Sequence, residues 1–382
     1  MKTNFDELIT RRGTGSVKWD EMPSDDVLPL WVADMDFRAA PCIMDALRQR
    51  IEHGVFGYTY VDDRYYDAVI NWFKRRHDWT IQRDWIIYTT GVVPAISATL
   101  KALASPGEKV AILTPVYNCF FSSIRNNKLQ AVEIPLLYDA QRIDFEALAE
   151  ALADPSCTIL LFCNPHNPGG RVWRKEELLR IAELCEENGV WLVSDEIHCE
   201  LVFPGNHFIP FASLSTPLQK RIVTFNSPSK NFNTAGLQVA NIICEDEEVR
   251  RRIDRAINDN EICDVNPLGV EALIAAYNEG ESWLEELIVY LHENYKFLCD
   301  FAKENIKSWR VLPLEGTYLA WVDVSASGKD GDATYRQLLN EAHVAVNAGS
   351  IYGKAGQNYI RINLACPRKR LEEALQRIAR IL

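Results

Sequence analysis

Hydrophobic positions fall along this chain in two textures. Between about Trp85 and Glu245, short and nearly unbroken apolar runs alternate with segments of helical spacing. The runs read WIIYTTG, KVAILTP, AVEIPL, TILLFCNP, VWLVSDEI, RIVTFNS and ANIICE. Helical pieces lie between most of them, over 94–104, from about Asn118, and over 175–188. A strand that is apolar on both faces is covered on both, so this pattern predicts an α/β fold with a mostly parallel sheet between helical layers. From about Ser282 the texture changes. Trp283, Leu284, Leu287, Ile288, Leu291, Tyr295 and Leu298 mark one face of a long helix. It leads into WRVLPLEGTYLAWVDV, a helix, YIRINLACP and a last helix, which predicts a smaller α/β layer. The first 45 residues have no βα alternation and join that layer. The expected division is a large domain over 46–281 and a small one from 1–45 and 282–382.

Composition narrows the function classes. At 382 residues, 47% hydrophobic and 25% charged, the chain has an ordinary globular make-up and length for a large core. A net charge of -12 argues against a nucleic-acid surface, which needs a basic patch. No apolar run approaches the roughly 20 residues that span a bilayer. MKTNFDELITRR lacks the apolar stretch of a secretory signal. The 10 cysteines are scattered, without C-x-x-C or zinc spacing, and read as reduced thiols of a cytoplasmic protein with no structural metal. GTGSVK near Gly13 lacks the third glycine of a dinucleotide fingerprint.

In an open parallel sheet, ligands bind beyond the carboxyl ends of the strands. Those ends supply Gly91, Val92 and Val93; Tyr117; Asn167; Asp195 and His198; and Ser227, Ser229 and Lys230. Singly, each has a plain reading: a solvated loop lysine, a capping aspartate, a packed tyrosine, a turn asparagine. Together they match what pyridoxal phosphate requires of a protein. Lys230 offers an amine for the cofactor aldehyde, and Asp195 an anion for the ring nitrogen. Asn167 offers a donor to the phenolic oxygen and Tyr117 a stacking surface. The helix start at Gly91–Val93, with the hydroxyls of Ser227 and Ser229, makes a phosphate cradle.

The blocks NPHNPGGRVW, SDEIH and SPSKNFNTAGLQ resemble, in order and spacing, those of fold-type I pyridoxal phosphate enzymes, the aspartate aminotransferase superfamily. LPLWVADMDF, HGVFGYTY, GTYLAW and YIRINLACPR look like the branch of cystathionine β-lyases and MalY/PatB-type C–S lyases. The resemblance covers nearly the whole chain. It implies that Arg361 binds the substrate α-carboxylate, with the Ala33 backbone nearby. It also implies that Tyr58 reaches the phosphate of a neighbouring subunit in a homodimer with shared sites. The plain reading of Arg361 is a solvated residue on the polar face of an alternating strand; that of Tyr58 is packing.

Two positions bear on the reaction. Aminotransferases of the superfamily usually carry tyrosine three residues after the ring-nitrogen aspartate and often arginine eight after the lysine; here stand His198 and Gln238. Both fit the lyase branch. The expected reaction is therefore β-elimination from an S-substituted cysteine, with Lys230 or Tyr58 as proton donor to the departing sulfur. Amino-group transfer is the second expectation. A MalY-like regulatory contact added to catalysis is the third.

Overall fold

The computed structural model describes residues 3–137, 141–214, 216–259 and 264–382. Its main sheet has seven strands in the spatial order Ile86–Thr89, Ala240–Cys244, Ile222–Asn226, Trp191–Asp195, Cys157–Cys163, Lys109–Thr114 and Gln130–Pro135. Only Ala240–Cys244 runs against its neighbours, so the other six share one direction and one carboxyl edge.

Successive residues of the central strands enter different cores, which explains their unbroken apolar runs. Ala111, Leu113, Leu160, Phe162 and Leu192 pack into one hydrophobic cluster. Val110, Ile112, Ile159, Leu161 and Val193 pack into the other, across the sheet. The helix Val92–Leu103 covers the second face with Val92, Ile96 and Leu100. Pro94 sits in its first turn, where no backbone donor is lost.

A second sheet is antiparallel, in the order Asn347–Ala348, Tyr359–Asn363, Leu319–Asp323 and Arg310–Val311. Ile360 and Ile362 face the core, while Arg361 and Asn363 occupy the opposite face of the same strand. A short parallel pairing of Leu28–Pro29 with Val344–Ala345, which periodicity does not predict, ties the N-terminal segment to this layer. That segment then runs as an irregular strap over 31–37, across the carboxyl edge of the main sheet. Among the described residues, no helix is long and apolar enough to cross a membrane.

The turn after Asp195 is anchored by Glu200, which is fully buried. Trp72 Nε1 donates to it at 2.7 Å and Arg76 Nε at 2.8 Å, with His77 Nε2 also 2.8 Å away. Burial alone would raise this carboxyl; His77, Arg76 and Trp72 reverse that and bring it down to about 2. A depressed carboxyl stabilises the fold above its ordinary range, and the contribution is lost as pH falls toward about 2. Arg76 also pairs with Glu281 and Glu285, so Glu200→Ala leaves it with partners but takes the acceptor from Trp72 Nε1 and His77, and is expected to cost about 2–4 kcal/mol in a urea titration.

Candidate active site

The carboxyl ends of the parallel strands open into a cavity of about 510 Å³, lined by residues of the main sheet, the strap and the antiparallel layer. Lys230 sits in a short helical turn, Pro228–Asn231, directly after the strand Ile222–Asn226. Its Nζ faces the cavity and donates to Ala33 O at 2.7 Å. Among the described residues no carboxylate lies within ion-pair distance of it. Enclosure disfavours the charged amine and Arg361 adds repulsion; together they outweigh Asp34 and Asp195 and lower the lysine from 10.5 to about 8.

Asp195 ends the neighbouring strand with only 3% of its surface exposed. Its Oδ1 accepts from Ile197 N at 3.1 Å. Burial raises the carboxyl to about 7, against the opposing effects of that N–H and of Lys230. A carboxylate in this position lacks a cationic hydrogen-bond partner, and a protonated ring nitrogen would supply one.

Arg361 is not a solvated surface residue. It is 3% exposed, with Nη1 donating to Asn167 Oδ1 at 3.0 Å and Nη2 to Trp31 O at 2.9 Å. Its guanidinium carbon lies 4.9 Å from the centre of the Tyr352 ring, and its buried Nε has no partner among the described residues. Because a guanidinium only donates, it fixes the Asn167 amide with oxygen toward Arg361 and leaves Nδ2 as the donor available to a ligand.

Tyr117, Gly91, Val92, Val93, Ser229 and His198 all line the cavity. His198 is buried, its ring 6.0 Å from that of Tyr318, and its Nδ1 has no hydrogen-bond partner among the described residues. Burial first, then Lys230 and Arg361, hold its proton affinity well below the usual histidine range, so it is a neutral group here.

The Ser227 Oγ donates to Val239 O at 2.6 Å and accepts from Ser229 N at 3.0 Å. The hydroxyl caps the turn that carries Lys230, leaving Ser229 as the serine on the cavity wall. Tyr58 is 97% exposed and lies outside the cavity of its own chain. The walls also include Thr90, Trp31, Asn347, Tyr352 and Gln238. Trp31 lies on the irregular strap and Asn347 on a two-residue strand, so neither carries a periodic signal.

The residues present fit pyridoxal phosphate on three structural grounds. They are an enclosed amine of lowered proton affinity, a buried carboxyl with no cationic hydrogen-bond partner among the described residues, and a cradle of backbone N–H groups at the start of Val92–Leu103.

The family model described as aminotransferase class I and II matches residues 25–378. Cystathionine beta-lyase PatB of Bacillus subtilis is 40% identical, over 98% of each chain. Cystalysin from Treponema denticola, whose crystal structure contains a pyridoxal 5'-phosphate cofactor, superposes with a TM-score of 0.96 at 37% identity, covering 100% of this chain and 99% of that one. A PLP-bound C–S lyase from Staphylococcus hominis superposes with a TM-score of 0.91 at 33% identity, covering 99% and 98%.

Proposed function

The chain belongs to the aminotransferase class I and II family, and on that footing we propose that it is a pyridoxal-phosphate-dependent carbon–sulfur β-lyase. Its substrates are cystathionine and related S-substituted cysteines; the products are a thiol, pyruvate and ammonia. The observation that carries the cofactor reading is the enclosed Lys230 amine, in one cavity with Asp195 and Arg361. The choice of elimination rests on His198 and Gln238 at the two diagnostic positions and on the lyases among the relatives.

Bound here, pyridoxal phosphate supplies an electron sink for the pair released when the substrate Cα loses its proton. The chain's own residues do the rest. Asp195 would keep a proton on the ring nitrogen, Asn167 Nδ2 would donate to the phenolic oxygen, and Tyr117 would offer a stacking surface. Gly91–Val93 and Ser229 would hold the phosphate. Arg361 holds the α-carboxylate, which directs the Cα proton toward Lys230. Lys230, deprotonated near its lowered value of about 8, takes that proton and can return it to the departing sulfur. Elimination needs no second substrate, so thiol release in the absence of any keto acid is the test. Thiol release that required a keto acid would refute it.

Arg361→Ala is expected to raise KM for the amino acid about 10- to 100-fold, the loss of charge-assisted hydrogen bonds to a carboxylate. A smaller fall in kcat accompanies it, because Asn167 loses its anchor. Steady-state kinetics at saturating cofactor separate the two effects.

The working unit is a homodimer with shared sites. Ile51, Val55, Phe56, Tyr58 and Tyr60 form an exposed apolar stretch on the single chain, and a second copy covers it. Tyr58 then serves the phosphate site of that second copy. Sedimentation equilibrium should return twice the mass of one chain, and a monomer would refute the arrangement. The scattered cysteines, none joined in a disulfide among the described residues, fit a cytoplasmic setting.

A further inference from the structure

The strap over 31–37 is gripped by side-chain amides at alternate carbonyls. Asn363 Nδ2 donates to Val32 O at 2.5 Å and to Asp34 O at 2.7 Å. Its Oδ1 accepts from Ala365 N at 2.7 Å, which fixes the amide's orientation. The carbonyl between those two, that of Ala33, takes Lys230 Nζ at 2.7 Å and the Tyr318 hydroxyl at 2.9 Å. Asn233, three residues beyond Lys230, holds the rest of the strap through Met35 N, Met35 O and Phe37 O. Asn363 is fully buried and lies two residues from Arg361, on the same strand face. One strand therefore carries both the carboxylate-binding arginine and the amide that aims the strap.

We propose that the Ala33 carbonyl, aimed by Asn363, is the acceptor that positions the Lys230 amine and sets how tightly it holds a proton. Asn363 is then a positioning residue, acting through Ala33. A carbonyl accepting from an ammonium favours the charged form, so the contact opposes enclosure. Tyr318 competes for the same oxygen and weakens it as an acceptor. The other groups facing Nζ are Arg361 and Asp34, Asp195 and His198, and Cys119. None of these residues is substituted in the variants below; Asp34, whose carbonyl Asn363 also holds, is the one that Asn363→Ala releases. The inference rests on the reading that Lys230 reacts with the cofactor aldehyde.

The test follows the rate of pyridoxal phosphate uptake, by visible absorbance, against pH on the full chain freed of cofactor. Asn363→Ala should move the midpoint down by about half a pH unit, since Ala33 O is no longer aimed at the amine. Tyr318→Phe should move it up, since Ala33 O is no longer shared. Opposite signs are not produced by general loosening of the fold. Midpoints at the wild-type value, or shifts in one direction, overturn the proposal. Should Asn363→Ala not fold, Tyr318→Phe decides alone: an upward shift supports the proposal, and an unchanged or lower midpoint overturns it. Absence of uptake by the wild-type chain would instead overturn the cofactor reading.

Discussion

Lys230→Ala is expected to remove the visible absorbance of the cofactor-loaded protein and to lower turnover at least about 10³-fold, the scale of losing a positioned base. Two functions of one nitrogen end together. The amine that attaches the cofactor is gone, and so is the group that takes the Cα proton. The structure makes the amine suitable for both. Lowering it from 10.5 to about 8 increases the neutral fraction near neutral pH more than about 100-fold over an ordinary lysine. Folding should be little affected, because Nζ holds a single hydrogen bond, to Ala33 O. An unchanged visible spectrum in the variant would remove Lys230 from the site.

The second large effect is at Asp195. Asp195→Asn keeps the shape and removes the charge, so a ring nitrogen beside it no longer holds its proton. The expected fall in kcat is about 10²–10³-fold, the range for deleting one preorganised electrostatic partner. Stability should move the other way. In the cofactor-free protein the buried carboxyl keeps its proton up to about 7, while the unfolded chain releases it in the ordinary carboxyl range. Between those values the folded state binds more protons, so stability falls as pH rises. Asp195→Asn removes its share of that slope and leaves the share of Glu196, which burial also raises, to about 8. Urea titrations of the cofactor-free protein at pH 5 and pH 8 should therefore differ less for the variant than for the native chain. An equal difference in both would show that the carboxyl is not raised by burial, and full activity in Asp195→Asn would show that the carboxylate is not the ring partner.

The parts of this site legible in sequence are those where backbone pattern and chemistry coincide. The apolar runs end at Cys163, Asp195 and Asn226, and the topological rule for parallel sheets points just beyond them, to Asn167, His198 and Lys230. Arg361 was legible only through resemblance, because an arginine on an alternating strand reads equally well as solvated. Asn363 carried the same ambiguity two residues on, and what decides both is the strap that covers that face. The strap itself has no period to detect. Its seven residues are held by side chains more than 190 positions away, Asn233 and Asn363, besides the local Arg11 and Lys18. Ser227 is ambiguous in sequence for a related reason. A serine beside a ligand-binding lysine can serve the ligand or cap the turn, and the cap becomes visible only with the positions of Val239 O and Ser229 N.

Elimination from Cβ by a lysine, an aspartate and an arginine assembled around pyridoxal phosphate is read out by product stoichiometry with cystathionine and no keto acid present. Pyruvate, ammonia and a free thiol are expected in equal amounts over many turnovers. Amino-group transfer would instead stop after one turnover per site, releasing a keto acid that retains its sulfur, and that result would contradict it.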